Sequence, residues 1–595
     1  MSFPMKKVSR LGQWDGPRRS SRGHESLLTG LVQRPALARI CVVLAATLAM
    51  TALAYWWPPF PYRVGEVCPH DVRPRVSFQV EDRDKTEARQ DEAIFHLPPD
   101  KRNDPRFCDQ VRKAVPPVME TYDRGIVIVQ RGQRITDSHR TLLEAEARAY
   151  HRSLGFGERA RRAFALFLMM SLMAVLVVLY VVRFQPKLAH NTSQIVKVCS
   201  LMVLTYLAWL ILSRPPWHAG LVPLTVSAMV LAIAFRPQFA LMLCFSFSIV
   251  VTASRGNGMD HLLVQIGGQA LAVLLMRNVR TRTQLVEVAA AAGIGFVAMT
   301  VTTALLTSQL GPVFREDCGR RFVWGLLAGF LVTGCLPLIE RFFGIVTDIR
   351  LLELADGSHP LMQELIRRAP GTYNHSLSVA SLAENAAEAI GGNPLLTRVG
   401  AYFHDIGKML KPGYFVENQN GHNLHDTLEP GLSTLIIIGH VKDGVALAEQ
   451  YGLPPPVIDF IQQHHGTTLV EYFYRAALRM QEETGNAPAR QEGTPCPLEA
   501  SFRYPGPKPQ SREGGIVMLA DAVESASRAL PDPSPGSLRK LVRDLLMKRL
   551  LDGQFEESGL TLTELHVIEE TLCKGLTGLY HSRIKYPDPR DRRVA

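Results

Sequence analysis

Paired thiols are missing from this chain: its nine cysteines form no CxxC, and only Cys496 and Cys573 lie after residue 341, which leaves thiolate metal chemistry there unsupported. Charge is nearly missing between Ala163 and Ile339, where it survives only at short breaks, and strand patterning is scarce after Arg341. A disordered chain is excluded by 47% apolar against 20% charged residues, and a single compact domain by the length of 595, which favours roughly two to four folding units. A net charge of +11 and a mean hydropathy of +0.04 are averages over unequal halves. The basic excess is therefore read by location, and no nucleic-acid polymer is expected as a partner.

What is present begins with a basic N-terminus, residues 1–39, and an apolar run, Ile40 to Trp57, closed by Tyr55-Trp56-Trp57. The interfacial aromatics and the poor cleavage sequence Trp-Trp-Pro-Pro favour an anchor helix over a removed signal peptide. Further apolar runs at 163–182, 195–212, 219–235, 238–253, 259–276, 285–307 and 322–339 predict a seven-helix membrane region within 163–339, or eight spans in all. Arg183, Lys187, Arg236, Arg277, Arg280, Arg282, Arg341 and Arg350 fall in alternate loops on the side of the basic N-terminus, so both termini are expected in the cytoplasm. Arg315, Arg320 and Arg321 are the exception, partly offset by Glu316 and Asp317. A carrier is the weaker reading of these spans, because their interiors offer mainly Gln265, Gln269, Ser and Thr.

Residues 58–160 then form a small α+β extracytoplasmic domain, a folded spacer or a sensor of an unnamed ligand, with alternation at Ile126-Val127-Ile128-Val129. Cys68 and Cys108 share this oxidising side, and whether they pair is left open.

Residues 341–595 read as an all-α domain, interrupted by a flexible insertion at 482–498. Asn393-Pro394 starts a helix whose last turn holds His404 and Asp405. His375 opens an earlier apolar stripe, His440 sits among isoleucines, His464-His465 ends another helix, and Asp521 interrupts Ile516-Val517-Met518-Leu519-Ala520. Taken one at a time these are core histidines, solvated helix ends or a break in a stripe, and the dipeptide His-Asp also occurs idly at His70-Asp71 and His425-Asp426. A carboxylate on an apolar helix interior nevertheless needs a partner or a metal. Jointly, five imidazoles and two carboxylates suffice for two divalent ions, and a donor set without sulfur favours manganese or iron over zinc. Such a pair activates water for phosphoester hydrolysis, and Lys408 either adds charge at a phosphate oxygen or complements a helix dipole.

The strings Ala369-Pro370-Gly371-Thr372-Tyr373-Asn374-His375-Ser376, His404-Asp405-Ile406-Gly407-Lys408, Ile437-Ile438-Gly439-His440-Val441-Lys442-Asp443, Gln463-His464-His465-Gly466-Thr467 and Phe502-Arg503-Tyr504-Pro505-Gly506-Pro507-Lys508-Pro509-Gln510 resemble the seven-transmembrane HD-domain family of bacterial cyclic di-AMP phosphodiesterases. The resemblance covers essentially the whole chain, and its last string is the most specific. It implies an integral membrane protein with an α-helical bundle and a cytosolic HD domain that opens cyclic di-AMP to linear pApA. It also implies that His375, His404, Asp405 and Asp521 hold one metal, and that Asp405 bridges to a second held by His440, His464 and His465. Catalytic roles fall to Asp405 and Lys408. Asn374 departs from the histidine of many relatives. Arg503 and Lys508, beside aromatic rings, are expected to meet the nucleotide.

The cyclic di-GMP branch carries Gly-Tyr-Pro after its paired histidines, whereas this chain continues Gly466-Thr467-Thr468, so cyclic di-GMP ranks second. Other nucleotide or phosphate-ester hydrolysis follows, then a receptor without turnover. The partners expected are a cyclic dinucleotide and the lipid bilayer, with an outer ligand and a homo-oligomer left open.

Overall fold

The structure, a computed structural model, describes residues 35–581 apart from 58–59, 61, 69, 277–278, 308–311, 420, 484–496 and 532. The basic N-terminus up to residue 34 and most of the expected insertion at 482–498 lie outside the described residues. The chain divides into two compact units, residues 1–220 with 245–262, and residues 221–244 with 263–595.

In the first unit, helix α1 (Pro35–Trp56) packs against the later apolar helices of this unit, with Thr51 Oγ1 reaching Met170 Sδ at 3.3 Å. Between them stands the small mixed domain: strand β1 (Phe78–Glu81), helix α2 (Arg83–Phe95) capped by Asp82, helix α3 (Pro105–Ala114), strand β2 (Met119–Tyr122) and helix α4 (Asp137–Ser153). The strands pair antiparallel with Phe78 opposite Tyr122. The alternation at 126–129 does not make a strand of its own; Val129 forms only a single bridge to Val72, and both enter a core with Cys68, Ile135 and Leu143. Cys68 and Cys108 are both free thiols: Cys68 is buried in that core, while the Cys108 thiol faces the Arg102 carbonyl. Arg75 meets the buried Glu146 through Nε at 3.0 Å and a terminal nitrogen at 2.8 Å, tying the start of the domain to α4. Helices α5 (Phe156–Phe184) and α6 (Thr192–Leu212) complete the run.

Helices α7 (Leu221–Ala234), α8 (Pro237–Arg255) and α9 (Met259–Leu275), the last two divided between the units, α10 (Arg282–Thr307) and α11 (Pro312–Phe343) follow. All eight expected spans thus fall on helices, and this is a multi-pass membrane protein. Six of them have the length and apolarity to cross a membrane, while α7 and α9, with 14 and 17 residues, are shorter than the about 20 a spanning helix needs. Helices α10 and α11 approach closely through small residues: a Cβ on Gly325 would lie 2.7 Å from the Gly293 Cα, which is how apolar helices gain contact where water cannot drive them together.

Beyond α11, the Glu340 carboxylate accepts from the Thr347 backbone N–H at 3.1 Å, and Thr347 caps helix α12 (Asp348–Leu354). An all-helical domain follows: α13 (Pro360–Arg368), α14 (Pro370–Ala389), α15 (Pro394–Phe403), α16 (Pro430–Gln450), α17 (Pro455–Gln463), α18 (Glu471–Glu483), α19 (Arg512–Ser527), α20 (Pro535–Leu551) and α21 (Leu562–His581). One core gathers Leu351, Leu365, Val399, Phe403, Ile406 and Ile461. A second gathers Val379, Ala383, Ile516, Val523, Val542 and Ile568. Helix α16 also has the length and apolarity of a span, but it belongs to this domain and carries His440.

Candidate metal centre

Each chemistry-bearing side chain sits at a helix end or on the buried face of a helix. Asn393 accepts from the Leu396 N–H at 3.0 Å and starts α15, and His404 is the residue that closes it. The chain then tightens into a 3-10 turn, Ile406–Leu410, against α16. Gly407 allows this approach, since a Cβ there would lie 1.9 Å from the His440 carbonyl oxygen. His375 lies on α14, His440 on α16, His464 closes α17 with His465 next, and Asp521 is on α19.

All seven side chains converge, and the two aspartates and four of the histidines are buried. His375, His404, Asp405 and Asp521 bring one ligand atom each within 4.8 Å of one another, and so do Asp405, His440, His464 and His465, with Asp405 common to both groups. Asp405 Oδ2 stands 3.3 Å from His404 Nε2 and 3.5 Å from His375 Nε2, while its Oδ1 stands 3.3 Å from His440 Nε2 and 3.6 Å from His464 Nε2. Asp521 Oδ1 lies 3.0 Å from His375 Nε2, and its Oδ2 lies 3.7 Å from His465 Nδ1.

The fit to cations rests on where the ring nitrogens' protons go. Nδ1 faces the carbonyl of Ala401 at 2.7 Å in His404, of Ile437 at 2.6 Å in His440 and of Ile461 at 2.9 Å in His464. A donating Nδ1–H leaves Nε2 as a bare lone pair aimed inward, the tautomer a metal-ligating imidazole needs. His404 Nε2 and Asp405 Oδ1 are buried with no hydrogen-bond partner among the described residues, a costly state unless an ion satisfies them. The chain thus has clusters of His and Asp able to hold divalent cations.

The field is consistent. Burial opposes charge on Asp405, but Lys408 and His404 hold its carboxyl well below the usual range, and His375 does the same for Asp521. Burial also opposes charge on His404, yet the adjacent Asp405 outweighs it and pushes the imidazole up to about 10, so a proton on Nε2 competes with a cation for that lone pair. Burial keeps His464 and His465 down, so these rings are neutral. The carboxylates therefore draw a positive charge into the cluster.

Lys408 reaches the cluster, with Nζ 2.6 Å from Asp405 Oδ2 and 3.1 Å from Glu417 Oε1. Arg503 and Lys508 make no bond to any of the seven side chains among the described residues. Arg503 pairs with Glu499 and Asp552 and donates to the Thr467 carbonyl at 2.9 Å, and Lys508 pairs with Glu556 at 2.9 Å. The string 502–510 grips the loop after His465 instead: the Tyr504 N–H donates to the Thr468 carbonyl, and its ring stacks on His465 with centroids 4.3 Å apart.

Sequence reasoning passed over Tyr504, Glu417 and Glu524. Glu417 binds Lys408 and accepts from Thr372 Oγ1 at 3.0 Å. Glu524 accepts from His375 Nδ1 at 2.6 Å. Glu524 stands one helical turn after Asp521 and was legible as a second acid on the same face; Glu417, in an irregular segment, had no such signal.

Membrane helices followed by an all-α domain with a paired His/Asp centre define a membrane protein that carries an HD domain. Two family models match the chain in succession: one described as "7TM receptor with intracellular HD hydrolase" over residues 161–347, and the HD domain over 372–526. It is 38% identical over 383 residues to the cyclic-di-AMP phosphodiesterase PgpH of Bacillus subtilis (62% of this chain, 51% of that one). It is 34% identical over 440 residues to PgpH of Listeria monocytogenes (72% and 59%). The chain spans between half and three-fifths of the length of these relatives. The crystal structure of the L. monocytogenes PgpH HD domain in complex with cyclic-di-AMP is 44% identical, covering 38% of this chain and 100% of that one, with a TM-score of 0.35.

Proposed function

We propose that this protein is a metal-dependent phosphodiesterase that hydrolyses cyclic di-AMP to linear pApA on the cytoplasmic side of a bacterial inner membrane. The observation that carries the reading is the pair of side-chain groups sharing Asp405. Sequence identity to two relatives described as cyclic-di-AMP phosphodiesterases supports the substrate.

In this reading His375, His404, Asp405 and Asp521 hold one cation, and Asp405, His440, His464 and His465 hold a second, manganese or iron by the donor set. When bound, such cations supply Lewis acidity to a phosphoryl oxygen and lower the pKa of water. Hydrolysis forms one P–O bond from water and breaks P–O3′, leaving a 5′-phosphate and a protonated 3′-oxygen. Lys408, held by Asp405 and Glu417, presents its ammonium to a non-bridging phosphate oxygen. Arg503 acts on this site through the loop that follows His465 rather than on the phosphate, and Lys508 is held by Glu556. Residues 58–160 form the extracytoplasmic domain and regulate the enzyme, residues 163–339 span the bilayer behind the anchor 40–57, and residues 341–595 carry catalysis.

The test is to incubate the purified full chain with Mn²⁺ and, separately, cyclic di-AMP and cyclic di-GMP, and to separate the products by chromatography. Linear pApA from the first alone supports the proposal. Turnover of cyclic di-GMP alone replaces the substrate, and binding without turnover makes the protein a receptor.

A further inference from the structure

His375 differs from the three histidines whose Nδ1 faces a backbone carbonyl: its Nδ1 meets a carboxylate, Glu524 Oε2, at 2.6 Å. Both partners are buried, with Glu524 at 4% exposure and His375 at 3%. The second oxygen of Glu524 accepts from Arg528 Nε at 2.9 Å, so a three-link chain runs from the half-exposed guanidinium through the buried carboxylate to the imidazole. Burying a carboxylate is a poor way to stabilise a fold, because desolvation offsets most of the attraction it gains. Its chemistry at His375 is specific. A carboxylate on Nδ1–H fixes the tautomer, stops the ring from turning, and makes Nε2 a stronger donor than a carbonyl acceptor does. That Nε2 faces Asp521 Oδ1 at 3.0 Å and Asp405 Oδ2 at 3.5 Å, in only one of the two groups.

We infer that Glu524 is a positioning residue for one of the two cation sites, the one served by His375, and that it makes the two sites unequal in affinity. The inference rests on the two-cation reading above. Arg528 holds Glu524 in place through Nε at 2.9 Å, and both act through His375 rather than on substrate.

The experiment titrates Mn²⁺ into the metal-stripped full chain in detergent, for the wild type, Glu524→Ala and Glu524→Gln, with elemental analysis of bound metal and the melting temperature of each metal-free protein. Glu524→Ala is expected to weaken one Mn²⁺ equivalent by about 10- to 100-fold and leave the other unchanged. Glu524→Gln, whose amide oxygen still accepts from Nδ1–H, should recover part of the loss, with a metal-free melting temperature like the wild type. Wild-type affinity for both equivalents in Glu524→Ala, or equal weakening of both, overturns the inference and leaves the two-cation reading standing. A wild-type protein that binds no Mn²⁺ removes both.

Discussion

The Nε2 atoms of His440 and His464 face each other 3.3 Å apart in a buried space, with both Nδ1 atoms committed to backbone carbonyls. Two lone pairs at that distance repel, and burial removes the water that would separate them; a cation bound by both turns the repulsion into ligation. Asp405 Oδ1, 3.3 Å from one and 3.6 Å from the other, completes the nearest donors.

Because Asp405 serves both groups, Asp405→Ala should lose both cations and all hydrolysis of cyclic di-AMP, whereas His404→Ala should lose hydrolysis but keep metal in the group formed with His440, His464 and His465. Elemental analysis of the purified variants beside a turnover assay checks this. Both should still insert into membranes, since neither residue lies in an apolar span. Robust turnover by either would refute the mechanism.

Lys408→Met should retain bound metal and lower kcat by about 100- to 1,000-fold, the usual cost of one preorganised donor at a developing charge. Glu417→Gln should have a smaller effect in the same direction, since it leaves Lys408 its ion pair with Asp405. An unchanged kcat in Lys408→Met would make the lysine a structural counter-ion.

Arg503→Ala removes contacts to Glu499, Asp552 and the Thr467 carbonyl and should destabilise the all-helical domain by about 1–3 kcal/mol, lowering the melting temperature. Tyr504→Leu should leave the loop joined by its backbone but remove the stack on His465, so it should weaken metal binding more than stability. A raised KM in Arg503→Ala with unchanged melting would instead point to contact with substrate.

In the small mixed domain, Arg75 holds the Glu146 carboxyl below its ordinary value of 4.5 against the opposing effect of burial. A depressed carboxyl contributes stability that is fully present above the unfolded value and is lost as pH falls through the folded one. Amide exchange protection of α4 should therefore drop below about pH 4.5, and Glu146→Gln should already be weaker at neutral pH, by about 1 kcal/mol given the half-exposed arginine, without that acid step. A wild-type profile flat down to pH 3 would contradict the pairing.

Much of this was legible in the sequence because it is local. Runs of apolar residues mark the membrane helices, Asn393-Pro394 marks the start of α15, and the unpaired acid Asp521 on an apolar stripe announces that something must neutralise it. Tertiary structure decided the rest, where the physical cause lies between segments remote in sequence. Arg503 looks like a phosphate ligand until Glu499 and Asp552 arrive beside it, and Glu524 is an ordinary helical acid until His375, 149 residues earlier, turns Nδ1 towards it. The alternation at 126–129 likewise specifies two faces but no partner strand, and Val72 supplies only one bridge. A residue's type and spacing determine what it can do, and the groups folded against it determine which of those things it does.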